Sequence, residues 1–312
     1  LNVSGGSLAF AYPQIPNALA SSEFWLDALD SSTITAPGGV VSQWNSKATA
    51  SNVGAYVVPN RIIGANPNIA TTGVTYSATG GPSSLPVVTT GALSSGDYLR
   101  FKNAANADLQ LTDLRSVFWV VRGGGFLLGD NPAIANDLPF HRGDSPPGSF
   151  SGFGAHTTDP ILLGAPNFAF GEAAGVSMDW YLSGSSINPR ATNLPASYSV
   201  LDAVQPTGNP INYGAGSISL SNTNGCCNNR TGGTQLSELL IFNTSLSNAD
   251  RLAIETYLNA KWILGQNLPT AVNFPNTKIN ASGTSTLDFG QATLDHVLGT
   301  LNVSGNSAVS LS

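Results

Sequence analysis

Residues 237–262 read SELLIFNTSLSNADRLAIETYLNAKW, and the fold is decided here. Glu238–Phe242 is an apolar run of strand length, too short for a helix. Asn243, Thr244 and Ser245 are turn residues that end it. Ser247 stands three residues before Asp250, the spacing of an N-cap with an acid in the first turn. Ala253, Ile254, Tyr257, Leu258, Lys261 and Trp262 then recur at helical spacing and predict one apolar stripe. Gly265 is placed to stop the helix in a left-handed conformation. No other stretch reads convincingly as a helix, so this one is expected to cover an otherwise β structure.

Outward from it, Leu99–Lys102, Val117–Val121, Gly175–Leu182 and Ser217–Leu220 are further strand candidates. Ser116–Val121, SVFWVV, is apolar almost throughout, as an inner strand covered on both faces should be. Met178–Gly184, MDWYLSG, reads as a strand running into a turn. Between these, residues 123–174 are rich in Gly, Pro, Asn and Asp and read as long loops, the usual place for ligand sites.

The pattern E-L-L-I-F-N-x-x-L-S-x-A-D-R-x-x-I-E-x-Y-L-x-x-K-W of residues 238–262 resembles the closing segment of bacterial concanavalin A-like (laminin-G-like) jelly-roll domains. Such domains tend to open with W-L-D-A-x-D-x-S-T-x-T and then G-x-V-x-x-W. Here these blocks are Trp25–Thr35 and Gly39–Trp44. MDWYLSG resembles their D-W-x-L-N-G hairpin. The resemblance implies an all-β, concanavalin A-like jelly-roll sandwich over residues 13–267, with one short C-terminal helix. It does not fix a function, because such sandwiches serve as lectins, enzymes and structural modules.

The ends carry a second signal. Leu1–Ser7, LNVSGGS, and Leu301–Ser307, LNVSGNS, are near copies at opposite termini. Either the chain is one period of a longer repeat protein, or a sandwich is inserted into an array of short β repeats. Residues 1–12 read as one repeat strand. Residues 268–312 resemble the β-strand repeats of autotransporter-like surface proteins, which stack as a solenoid. A C-terminal hairpin that completes the sandwich is the alternative. One or two such repeats cannot bury a core alone, so the terminal segments imply partners: neighbouring modules or copies of the same chain.

Composition narrows the setting. Charged residues are 10% of the 312, against about 25% in ordinary globular proteins, while hydrophobic residues are 41% and strand-like runs recur throughout, which argues against disorder. With 34 Gly and 19 Pro this is the make-up of a turn-rich extracellular or cell-surface β protein. A net charge of -6 and a pI near 4.8 argue against nucleic acid or an anionic membrane as partner. No apolar run reaches the ~18 residues of a membrane span. The chain begins at Leu1, as a mature product or a fragment would.

Residues able to do chemistry are few. A glycoside hydrolase needs a carboxylate pair, and Glu23, Glu172, Glu238 and Glu255 are the only glutamates, none with an acid at the matching strand spacing. Glu238 and Glu255 read as strand-edge and helix-surface residues. No G-x-S-x-G elbow occurs. The chain is therefore expected not to be an enzyme. His141 with Asp144 and His156 with Asp159 repeat an H-x-x-D spacing in the loop region; converging loops would make them a metal or ligand site, and the bland alternative is solvated loop residues. Arg142–Asp144 is also an Arg-Gly-Asp tripeptide, read as coincidence.

Cys226 and Cys227 are adjacent. They read as free thiols, as a strained vicinal disulfide that would stiffen a binding loop, or as bridges between chains. Trp44 is a candidate for stacking on a sugar. Asp27 and Asp30 read first as turn caps. Calcium through them is the alternative that a lectin-type fold implies. Two functions follow: a non-catalytic module of a bacterial surface or secreted repeat protein acting in adhesion, matrix or filament assembly, or a lectin module that binds polysaccharide, with calcium assistance as a variant.

Overall fold

The computed structural model describes residues 16–61, 73–92, 95–124, 127–128, 140, 161, 177–205, 210–211, 214–218 and 232–265, together with the strand backbones 2–9, 271–288 and 295–304. These form an all-β structure with one short α-helix. The strands, in chain order, are β1 (Asn2–Ala9), β2 (Phe24–Asp27), β3 (Ile34–Thr35), β4 (Gln43–Asn45), β5 (Tyr56–Arg61) and β6 (Val74–Ser77). Next come β7 (Val87–Thr90), β8 (Asp97–Lys102), β9 (Gln110–Leu111), β10 (Ser116–Arg122), β11 (Asp179–Leu182) and β12 (Ser185–Ile187). The last are β13 (Ser199–Val204), β14 (Gly214–Ala215), β15 (Ser217–Ile218), β16 (Gln235–Phe242), β17 (Ala271–Asp288) and β18 (Asp295–Ser304); α1 is Asn248–Leu258. By its contacts the chain divides into two units, Asn17–Gly265 and Leu1–Pro16 with Gln266–Ser312.

In Asn17–Gly265 the central strand is β16. One of its edges pairs antiparallel with β10; the other is shared, β7 taking Gln235 and Leu236 and β2 taking Glu238–Ile241. The sheet runs β12-β11-β13-β10-β16-β7-β6, and a smaller one runs β15-β8-β5-β4-β3. Phe24 of β2 stacks on Phe101 of β8 with ring centroids 4.6 Å apart, which joins the two sheets face to face in a sandwich-like arrangement.

Strand alternation distributes the rest. Phe24, Leu26, Leu239, Ile241 and Trp119 share the face toward the second sheet, where Trp119 stacks on Trp180 at 5.7 Å and Phe140 meets both edge-on. Trp25, Asp27, Glu238, Leu240, Phe118, Asp202 and Tyr181 share the opposite face through their ladder register. The hairpin β11–β12 turns on Ser183 and Gly184, both at positive φ (47° and 86°), as the right-handed twist of two strands requires of a two-residue loop.

α1 covers that second face. The Ser247 Oγ accepts from the Asp250 backbone N–H at 3.1 Å, the expected cap. Ile254, Tyr257, Leu258 and Trp262 are buried as the spacing predicts, but Ala253 is exposed, and Arg251 and Glu255 are buried instead. Beyond Leu258 the helix widens into a π-helical turn, Asn259–Ile263, which leaves Ala260, Lys261 and Trp262 all buried. Gly265 ends it at φ +60°, as expected.

The other unit is a three-stranded sheet in the order β1-β17-β18, parallel throughout. Asn2 pairs with Asn280 and Asn280 with Asn302; Ser4 pairs with Ser282 and Ser282 with Ser304. The register thus exposes a third copy of the terminal motif, Ile279–Ser285, INASGTS, lying between the two that the termini advertise. Ile for Leu and Ala for Val hid it from a search for identical strings.

Candidate functional site

Two ionic clusters hold α1 and its π-helical turn against the sheet, and both are buried. The first grows from the ladder register that sets Asp27 of β2 directly opposite Glu238 of β16. Like charges so placed repel unless a cation separates them. The Lys261 ammonium does so, 2.9 Å from Asp27 Oδ2 and 2.7 Å from Glu238 Oε2. Glu238 also accepts from both indole N–H groups nearby, Trp25 at Oε1 (2.8 Å) and Trp262 at Oε2 (2.5 Å). Lys47 adds a second cation, 3.0 Å from Asp27 and 3.2 Å from Asp30. Burial pushes the Asp27 carboxyl up, yet the Lys261 and Lys47 ammonium groups outweigh it and hold the group below the usual carboxylate range. Burial raises Glu238, with Lys261 opposing and Asp27 adding. Burial works against the Lys261 charge, but Glu238 and Asp27 more than offset it and raise its pKa.

The second cluster lies under the first turns of α1. Arg251 Nη1 is 2.9 Å from Glu255 Oε2 and 3.5 Å from Asp202 Oδ2, and its guanidinium stacks 3.7 Å from the Tyr181 ring centroid. One cation thus serves two buried acids. Burial, then the neighbouring Glu255, pushes Asp202 up to about 8, with Arg251 only partly opposing. Glu255 is raised as well, chiefly by burial.

These positions correct the reading of Glu238 and Glu255 as strand-edge and helix-surface residues: they are 1% and 3% exposed. The signal was present in the sequence. Glu238 sits inside an apolar strand and Lys261 on an apolar helical stripe, and a lone charge in each setting calls for the other.

Trp44 is fully buried in β4, so no ring face is open to a sugar, which corrects its place among ligand candidates. Trp25 is half-buried, its ring 4.7 Å from the Lys47 ammonium. Asp27 Oδ1 accepts from the Leu29 backbone N–H at 3.0 Å, the turn-capping role, and Asp30 accepts from the Ser32 hydroxyl. Two lysine ammonium groups already stand where calcium would bind Asp27 and Asp30. Among the described residues no group of three or more His, Cys, Asp or Glu is arranged to hold a metal. His141, Asp144, His156, Asp159, Cys226 and Cys227 lie outside the described residues.

Chemically, both clusters are fastenings. Asp27, Glu238, Asp202 and Glu255 are buried, and each is paired with a cation from the same chain. No family model, no curated protein and no solved structure matches the chain.

Proposed function

We propose that the chain is a non-catalytic structural module of a large extracellular or cell-surface protein, a concanavalin A-like jelly roll carried on a β-solenoid repeat. The observation that carries this reading is the parallel ladder β1-β17-β18 with three copies of one motif in register. Its geometry supports a coil. β17 would span about 55 Å if straight, at ~3.3 Å per residue. The connection 289–294 can cover at most about 25 Å, yet β18 begins beside the start of β17. The strand must bend back on itself, and its register irregularities at Phe274/Lys278 and opposite Ser4/Gly6 are the places where it can. For the sandwich, the support is that the opening and closing motif blocks converge: Asp27 comes from the opening block, Glu238 and Lys261 from the closing one.

The test is a glycan-array screen of the 312-residue chain with and without a calcium chelator. The structural reading expects no binding in either condition. Binding that the chelator abolishes would replace it with the calcium-assisted lectin, and binding that the chelator leaves intact would replace it with a metal-free lectin.

A further inference from the structure

In the β1-β17-β18 sheet, the two outer strands carry nearly the same sequence. β1 holds Asn2-Val3-Ser4 and β18 holds Asn302-Val303-Ser304, and each is aligned on Asn280-Ala281-Ser282 of the strand between them. In a parallel sheet every strand offers its left neighbour what it receives from its right, so equal sequences at the two edges make one edge the complement of the other. Neither outer strand has a second partner among the described residues. The repeated segment carries no guard of the usual kind: Asn2–Ala9 holds no Pro and no charge, and in β18 the charged Asp295 stands at the far end from Thr300–Ser304, which holds neither.

We infer that this chain pairs with a second copy of itself by parallel strand addition, β18 of one copy against β1 of the next, with Asn302 beside the Asn2 of its neighbour. The inference rests on the structural reading above and names its partner. The contact is heterologous, since it joins two different edges, and such contacts leave one edge free at each end. The dimer is therefore the first product, and any further addition repeats the same contact.

Two measurements decide it. Sedimentation velocity on the full chain, from about 1 µM to about 1 mM, should show a monomer–dimer equilibrium. In parallel, chains carrying Cys226→Ser and Cys227→Ser are prepared with either Asn2→Cys or Asn302→Cys, mixed, and oxidised. Paired residues on neighbouring strands lie about 4.8 Å apart along the ladder, within the roughly 4.4–6.8 Å between Cα atoms that a disulfide spans, so the mixture should give a disulfide-linked dimer containing one chain of each kind. Either variant oxidised alone should give far less dimer. Equal yields of 2–2 or 302–302 dimers would overturn the parallel edge pairing. A strict monomer through the whole concentration range, with no mixed dimer, would overturn self-pairing while leaving the structural reading to its glycan screen, because further repeats within one chain can occupy the same edges.

Discussion

Lys261 is the residue on which the closing helix depends. Its ammonium stands between two carboxylates that the β2–β16 register forces together, and all three side chains are buried. Counting Lys47 and its second partner Asp30, the cluster holds three acids and two bases. Replacing Lys261 by Met keeps most of the volume but leaves Asp27 facing Glu238 across a ladder, with one partly exposed cation for both. Removing one partner of a buried pair costs about 3–5 kcal/mol, because the remaining charge stays desolvated. Lys261→Met should therefore lower the unfolding free energy measured by urea denaturation by an amount of that order, with a lower midpoint, and adding Glu238→Gln should recover part of it. A midpoint unchanged in the single variant would show that the buried charges are not holding the helix. The sequence makes half of this legible. Lys261 belongs to the helical stripe by its spacing, and Glu238 to the strand by its neighbours. Their meeting depends on which face of β16 each residue occupies, and one-residue changes in register reverse that.

At the scale of elements, α1 meets the sheet through Arg251, Glu255 and Asp202 as much as through Ile254 and Leu258. The 3.6-residue period locates a buried stripe but cannot tell that its flank is ionic, since Arg251 and Glu255 look like an ordinary surface i,i+4 pair. Asp202 supplies the missing information, and it comes from a strand nearly fifty residues earlier. Its pKa, about 8 when folded, is raised above the ordinary 3.8. Between those values the folded chain keeps a proton that the unfolded chain has lost, so the group's contribution is fully present below about pH 4 and is lost as pH rises through about 8. Glu255, also raised, acts in the same direction. Asp202→Asn fixes the neutral form. Its unfolding free energy from urea denaturation should match wild type near about pH 4 and exceed it increasingly up to about pH 8, by an amount on the order of a few kcal/mol. A parallel pH profile for both proteins would mean that Asp202 is ionised and compensated in the folded state.

For the whole molecule, the division at Pro16/Asn17 and Gly265/Gln266 sets how it should unfold. Among the described residues every ladder of Asn17–Gly265 closes within that unit, so cutting the chain at both boundaries severs none of those ladders. The other unit is differently placed. β17 and β18 are separated by a short connection, but β1 reaches β17 only across the full length of the intervening unit. Closing a flexible loop of ~250 residues costs about (3/2)RT ln n, several times RT, for a strand of eight residues to dock. Folding the intervening unit first replaces that loop by two fixed ends and removes most of the cost. The order of assembly should then be Asn17–Gly265 first and β1 last, with β1 also the first strand to open. Hydrogen exchange read by mass spectrometry should find Asn2–Ala9 the least protected strand, and residues 17–265 expressed alone should keep the exchange pattern they have in the full chain. If the excised segment loses protection in β10 and β16, then the terminal strands are part of its folding unit, and the two-unit division does not describe how the chain folds.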